Sequence, residues 1–238
     1  MEGLLLYEAF ILVLTTGLLL VVLPLASKRR IAPLGAFVVL SLLDALCLLV
    51  PLLNGWRVGQ WNWIGKLASI LFGVAAILFF RLEKTELGLI LPRSRYGWLA
   101  SAAGLLIGLL LTTSFVLLFA PNPRPDLPTL AFEATMPGID EELWFRGIYM
   151  ALLVRGFPSI RFGMPRWIVP LVITSLQFAV VHVVTLNHDH LGLSLIAAVY
   201  VLPVGILFAA IRVASGSLLG GVLTHNATNV AGDLSGFF

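Results

Sequence analysis

Met136-Pro137-Gly138-Ile139-Asp140-Glu141-Glu142-Leu143-Trp144-Phe145-Arg146-Gly147 lies inside an apolar run, Leu130 to Val154, that is long enough to cross a bilayer. It nevertheless carries three acids and an arginine. An ionisable side chain in hydrocarbon costs from about 3 to more than 10 kcal/mol, so each of these needs a partner or a role. Helical spacing puts Glu142 and Arg146 one turn apart on one stripe, where they neutralise each other, and turns Glu141 by about 100° towards a neighbouring helix. Burial and the Arg146 charge pull on Glu141 in opposite directions, which poises it to accept a proton. Pro137 and Gly138 remove a backbone hydrogen bond and a side chain just before the pair, so the helix is expected to open there and let water in.

Working outward, the rest of the chain has the same character. Of 238 residues, 59% are hydrophobic and 11% charged, and the mean hydropathy is +1.01. That excludes a water-soluble fold. Apolar spans are expected at Leu4 to Ala26, Ile31 to Leu53, Ile64 to Phe80, Trp98 to Ala120, Leu130 to Val154, Trp167 to Leu186, Leu191 to Ile211 and Ser217 to Phe237. The expected fold is all-α, a single polytopic transmembrane bundle of about eight helices over residues 1–238. Four front helices occupy 1–120, and four helices in 130–238 carry the polar groups.

The first stretch is too long, and lacks the basic flank, for a cleaved signal peptide. The segment Pro121-Asn122-Pro123-Arg124-Pro125-Asp126-Leu127-Pro128 is expected to cross between spans as a stiff extended piece. Trp56, Trp61 and Trp63 are expected at headgroup depth as an interfacial belt. No internal repeat is evident.

Fifteen Lys and Arg against 12 Asp and Glu give a net charge of +3, so nucleic acid is not expected as a partner. The expected partners are membrane lipid and a membrane-associated protein or peptide. The lone Cys47 excludes an intramolecular disulfide and a cysteine-based zinc cluster. Lys28, Arg29, Arg30, Arg81, Lys84, Arg93, Arg95, Arg155, Arg161, Arg166 and Arg212 fall in the odd-numbered connections, whereas Arg57, Lys66 and Arg124 fall in the even ones. The positive-inside rule makes the odd connections cytoplasmic and puts both termini on the opposite face.

Beyond the quoted stretch, the ionisable residues inside apolar stretches are Glu8, Asp44, Glu133, His182, His225 and Asp233. Phe178 and His182 are four apart on span six, and His225 and Asn229 four apart on span eight. Two imidazoles, a carboxamide and a carboxylate can therefore converge on one buried point. Glu133 and Asp140 either line its mouth or are solvated, and Asp233 continues the stripe of His225 and Asn229. Glu8 and Asp44 have no evident partner. His188 and His190 read as solvated turn residues.

Glu141-Glu142-x-x-x-Arg146, then Phe178-x-x-x-His182, then His225-x-x-x-Asn229 resembles the motif series of the CPBP family of intramembrane proteases. That family includes the CAAX prenyl endopeptidases and bacterial relatives called Abi proteins. The resemblance covers about the last 110 residues. It implies that Glu141 and His182 activate a water to attack the scissile amide. His225 and Asn229 would stabilise the oxyanion, Arg146 with Glu142 would hold the group in register, and Phe178 would shape the cavity. Members have been described both as metal-dependent and as metal-free glutamate proteases. A zinc ion on Glu141, His182 and His225 and a metal-free mechanism are both allowed. A transporter or channel with a buried polar path, or a silent adaptor or immunity protein, remains a rival reading.

Overall fold

The computed structural model describes residues 2–119, 124–161, 163–187 and 190–237. In chain order the helices are α1 (Glu2–Val22), α2 (Ile31–Leu53), α3 (Trp63–Phe79), the short α4 (Lys84–Leu87), α5 (Arg95–Phe119), α6 (Leu127–Glu133), α7 (Met136–Glu142), α8 (Met150–Gly156), α9 (Ile168–Val183), α10 (Leu195–Ser215) and α11 (Leu219–Leu234). A π-helical segment, Leu143–Tyr149, joins α7 to α8. Two small antiparallel ladders pair β1 (Ala26–Lys28) with β2 (Ser159–Ile160), and β3 (Val184–Asn187) with β4 (His190–Leu193).

The all-α bundle agrees with the sequence, and all eight apolar stretches are mainly helical. Among the described residues, four helices are long and apolar enough to cross a membrane: Leu5–Leu25, Ile31–Leu53, Arg95–Phe119 and Ala197–Ser215. Apolar side chains stand exposed around the bundle, with Val21 at 76%, Phe79 at 80% and Leu117 at 80%. In water that would be an aggregation surface; in lipid it is the contact surface of an integral membrane protein.

Three expectations need correction. The sixth and seventh stretches do not stay helical to their proposed ends, because Val184–Asn187 and His190–Leu193 pair as the β3–β4 ladder; hydropathy alone does not separate an apolar strand from a helix end. Leu127 and Pro128 belong to α6 rather than to an extended crossing. Asp126 caps that helix by accepting from the Thr129 backbone N–H at 2.9 Å, and proline is tolerated in a first turn. The Thr129 side chain and backbone donors also hold the Asp126 carboxyl below its usual range. Finally, the fifth stretch is broken at Ala134–Thr135, upstream of the expected opening at Pro137–Gly138. Pro137 has no N–H to give to the Glu133 carbonyl, and the Gly138 N–H goes instead to Asn226 Oδ1 at 2.8 Å.

The centre of the bundle is the π segment, all seven of whose residues are buried. Trp144, Arg146 and Tyr149 are its largest fully enclosed side chains. Phe37 of α2 packs edge-on to Tyr149 at 5.4 Å, and α9 and α10 close the other side. α5 lies along α10 and α11 through a stripe of small residues. At the basic end, Arg155 grips Glu86 with two hydrogen bonds of 2.8 and 2.6 Å and donates to the Phe80 carbonyl. That contact holds Glu86 below the ordinary carboxylate range. Of the three indoles, Trp56 is exposed, Trp61 stacks on Phe132 at 4.8 Å and Trp63 meets the same ring edge-on.

Candidate active site

Three helices deliver the motif residues to one place. Glu142, at the end of α7, is fully buried and accepts from Arg146 Nη1 at 2.9 Å. Arg146 also donates to the Gly205 carbonyl of α10 at 2.8 Å, and its guanidinium lies 4.3 Å from the Phe178 ring centroid. The i,i+4 pairing read from the sequence is therefore present, although Arg146 already belongs to the π segment.

His225 of α11 is nearly buried. Its Nδ1 faces Glu142 Oε1 at 3.1 Å, and its ring stacks on Phe208 at 4.7 Å. α11 can come this close because Gly138 and Gly221 carry no side chain. A Cβ on Gly138 would collide with the Asn226 carboxamide and the Val222 carbonyl, and one on Gly221 would sit 2.9 Å from Glu142 Oε2.

Glu141 turns the other way, as the helical geometry requires. Its Oε2 is 3.3 Å from His182 Nε2 and 3.7 Å from His225 Nε2, and makes no hydrogen bond. His182 is fixed by its own helix: Nδ1 is 2.7 Å from the Phe178 carbonyl, which only accepts, so the ring proton sits on Nδ1. By the same reasoning the neutral His225 carries its proton on Nδ1, towards Glu142. Both Nε2 atoms then present lone pairs to the Glu141 oxygen. His182, with its side chain 35% exposed, is the open edge of the group. Phe178 touches the His182 ring at 4.3 Å, so its part is to shape the wall.

Glu141, His182, His225 and Asn229 line one cavity of about 280 Å³, together with Phe132 and Tyr200. The convergence expected from the sequence is thus present. Asn229 differs in one respect: its Nδ2 donates to Glu133 Oε2 at 2.8 Å, so its donor is engaged outside the Glu141 group. Glu133 is accordingly half-buried at the cavity rather than solvated.

The residue that sequence reading missed is Lys66. Counted there as a charge on an even-numbered connection, it sits in the first turn of α3 and is nearly buried, with Nζ 2.7 Å from Glu141 Oε1 and 2.9 Å from Asp140 Oδ2. Behind it, Ser69 Oγ lies 2.5 Å from Asp140 Oδ1 and 2.6 Å from Asp44 Oδ1 while accepting from Trp144 Nε1 at 2.7 Å. Tyr149 donates to the other oxygen of Asp44 at 3.1 Å. One hydroxyl proton cannot serve two carboxylate oxygens, so Asp44 and Asp140 hold a further proton between them. Asp140 is buried rather than solvated, and Asp44, without an evident partner in the sequence, has two. The available signal is Asp44, an acid near the middle of the second span with no evident partner. Glu8 Oε1 and Asp233 Oδ2 are buried without hydrogen-bond partners; His188 lies outside the described residues.

The donor set does not suit a metal ion. Among the described residues no group of three or more His, Cys, Asp and Glu could hold one, and the Lys66 ammonium against Glu141 places a positive charge beside any cation bound there.

No curated protein and no solved structure matches the chain. Residues 123–231 match the family described as type II CAAX prenyl endopeptidase Rce1-like. This segment contains every motif residue of the Glu141 group but not Lys66, and over it the chain is similar to the type II CAAX prenyl endopeptidases.

Proposed function

We propose that the protein is an intramembrane endopeptidase of eight helical crossings that hydrolyses a peptide bond within or beside the bilayer, with Glu141 as general base. The observation that supports this reading is the free Oε2 of Glu141, faced by the Nε2 atoms of His182 and His225 on the wall of a cavity. A water bound there donates one proton to Glu141 Oε2 and the other to an Nε2. Its oxygen bonds to the carbonyl carbon, Glu141 takes the first proton, and negative charge collects on the carbonyl oxygen. When the C–N bond breaks, that proton passes to the leaving amine, so one water is consumed per bond cut.

Lys66 aims Glu141, since the ammonium occupies Oε1 and leaves Oε2 to react. With its proton on Nδ1, towards Glu142, His225 offers the oxyanion no donor at Nε2 and is left to hold the water. Asn229 spends one Nδ2 proton on Glu133 and has a second to offer the oxyanion.

The basic connections lie on the cytoplasmic side in this reading. Glu141 precedes Arg155 by 14 residues, roughly 21 Å of helix, so the cavity sits in the half of the bundle away from that face. The substrate is membrane-anchored; prenylated and unprenylated peptides are the two classes to compare.

The test is cleavage of both peptide classes by the purified native chain, Glu141→Gln and His182→Ala, with and without chelator. Cleavage by the native chain alone, indifferent to chelator, is the expected result. Equal cleavage by all three would refute the assignment, and loss on chelation with rescue by zinc would overturn the metal-free form.

A further inference from the structure

A second cavity, of about 180 Å³, lies on the other side of the Glu141 wall, among α1, α2, α7 and α9. Lys66, Glu141 and His182 line both cavities, so the reacting carboxylate is a partition with two faces. The rest of the second lining includes Ser41, Asp44, Tyr149 and Gln177.

Gln177 is 2% exposed. Its Nε2 donates to Ser41 Oγ at 3.1 Å, while its Oε1 has no partner. An unpaired buried amide oxygen is costly unless something donates to it. A dry cavity of this size is apolar-lined; this one carries acceptors and donors on several walls. At roughly 30 Å³ per molecule it holds on the order of six waters.

We infer that this partly open cavity is a water chamber that supplies the nucleophile to Glu141 from behind, while the peptide occupies the 280 Å³ cavity in front. A substrate side chain is the poorer occupant, because to enter from the front it would have to pass between Glu141 and His182, whose facing atoms are 3.3 Å apart. The use of the water rests on the proteolytic reading; its presence does not. Each turnover removes one water from the site, and a scissile bond seated in the front cavity closes that route to solvent, so replacement from the rear lets hydrolysis proceed without substrate release.

Water radiolysis footprinting tests the contents. Hydroxyl radicals formed from trapped water oxidise the side chains beside it. Tyr149 is 1% exposed and lines the chamber, whereas Phe157 is 0% exposed and lines neither cavity. The native protein in nanodiscs is expected to label Tyr149 at least tenfold faster than Phe157. Filling the chamber with Ala45→Leu, or removing a polar wall with Ser41→Val should the larger side chain prevent folding, is expected to bring Tyr149 down towards the Phe157 rate. The same variants should lower kcat at least tenfold with KM changed less than twofold.

Labelling of Tyr149 at the Phe157 rate in the native chain would overturn the inference. So would unchanged kcat in a folded variant that no longer labels. A native chain that labels Tyr149 but cleaves no peptide would count against the proteolytic reading and for the hydrated chamber.

Discussion

The front helices α1 to α3 and the rear segment from α6 to α11 meet at Glu141 but contribute different things. The rear supplies the groups proposed to react, Glu141, His182 and His225, with Asn229 on the same cavity wall. The front supplies Lys66, Ser69 and Asp44, which sit behind the carboxylate and fix its charge and direction. The rear is also the part that matches a known family, over residues 123–231. Chemistry is thus concentrated in the recognisable half, and the electrostatic support for it comes from the half that sequence comparison leaves unassigned.

That division can be broken by mutation. Glu141→Gln should cost about 10⁴-fold in kcat/KM while leaving thermal stability in detergent equal or slightly higher, because one buried charge is removed and Lys66 keeps Asp140. Lys66→Met should instead lose both. Asp140 and Glu141 would be left as buried acids without their cation, which costs about 3–5 kcal/mol of stability and most of the activity. Unaltered stability in Lys66→Met, measured by chemical unfolding in micelles, would place Lys66 with the rear group and erase the distinction.

Asn229→Ala tests the rear alone, with an expected fall in kcat of about 10²-fold, near 3 kcal/mol of barrier, and little change in KM. An effect on KM instead would mean that Asn229 and Glu133 bind substrate rather than the oxyanion. Trp144→Phe probes the seam between the halves. It removes the donor to Ser69 at 2.7 Å and should cost about 1 kcal/mol, read as a small drop in melting temperature.

The smallest effect is expected far from the site. Glu86, held low by Arg155, adds stability that is present above the ordinary carboxylate pKa of about 4.3 and is lost as the pH falls through its lowered folded value. Glu86→Gln should cost less than ~1 kcal/mol at pH 7, and the gap between native and variant melting curves should close in acid.

Legibility from sequence follows the same division. Glu141, Glu142, Arg146, His182 and His225 could be brought together on paper because helical spacing and burial cost constrain them strongly. Lys66 could not, because a lysine three residues after Trp63 reads as a topogenic charge at a headgroup boundary; only its contacts with Asp140 and Glu141 show that it turns inward. The break before Thr135 was misplaced by three residues because Pro137 signals a missing donor without saying which turn gives way. The π segment is invisible to pattern reading, since seven consecutively buried residues have no polar face to set a period. The β3–β4 ladder is apolar on its strands and was absorbed into the neighbouring spans.

One feature of the fold reaches beyond the protein. Among the described residues α3, of 17 residues, and α9, of 16, are the two shorter apolar helices, and they carry Lys66 and His182. At 1.5 Å per residue each extends about 25 Å, against a hydrocarbon thickness near 30 Å. Lipids beside them must shorten or splay to cover the deficit. In a bilayer the annulus is expected to be pinched next to the Glu141 wall, and on the proposed reading thicker bilayers should slow cleavage by resisting that pinch.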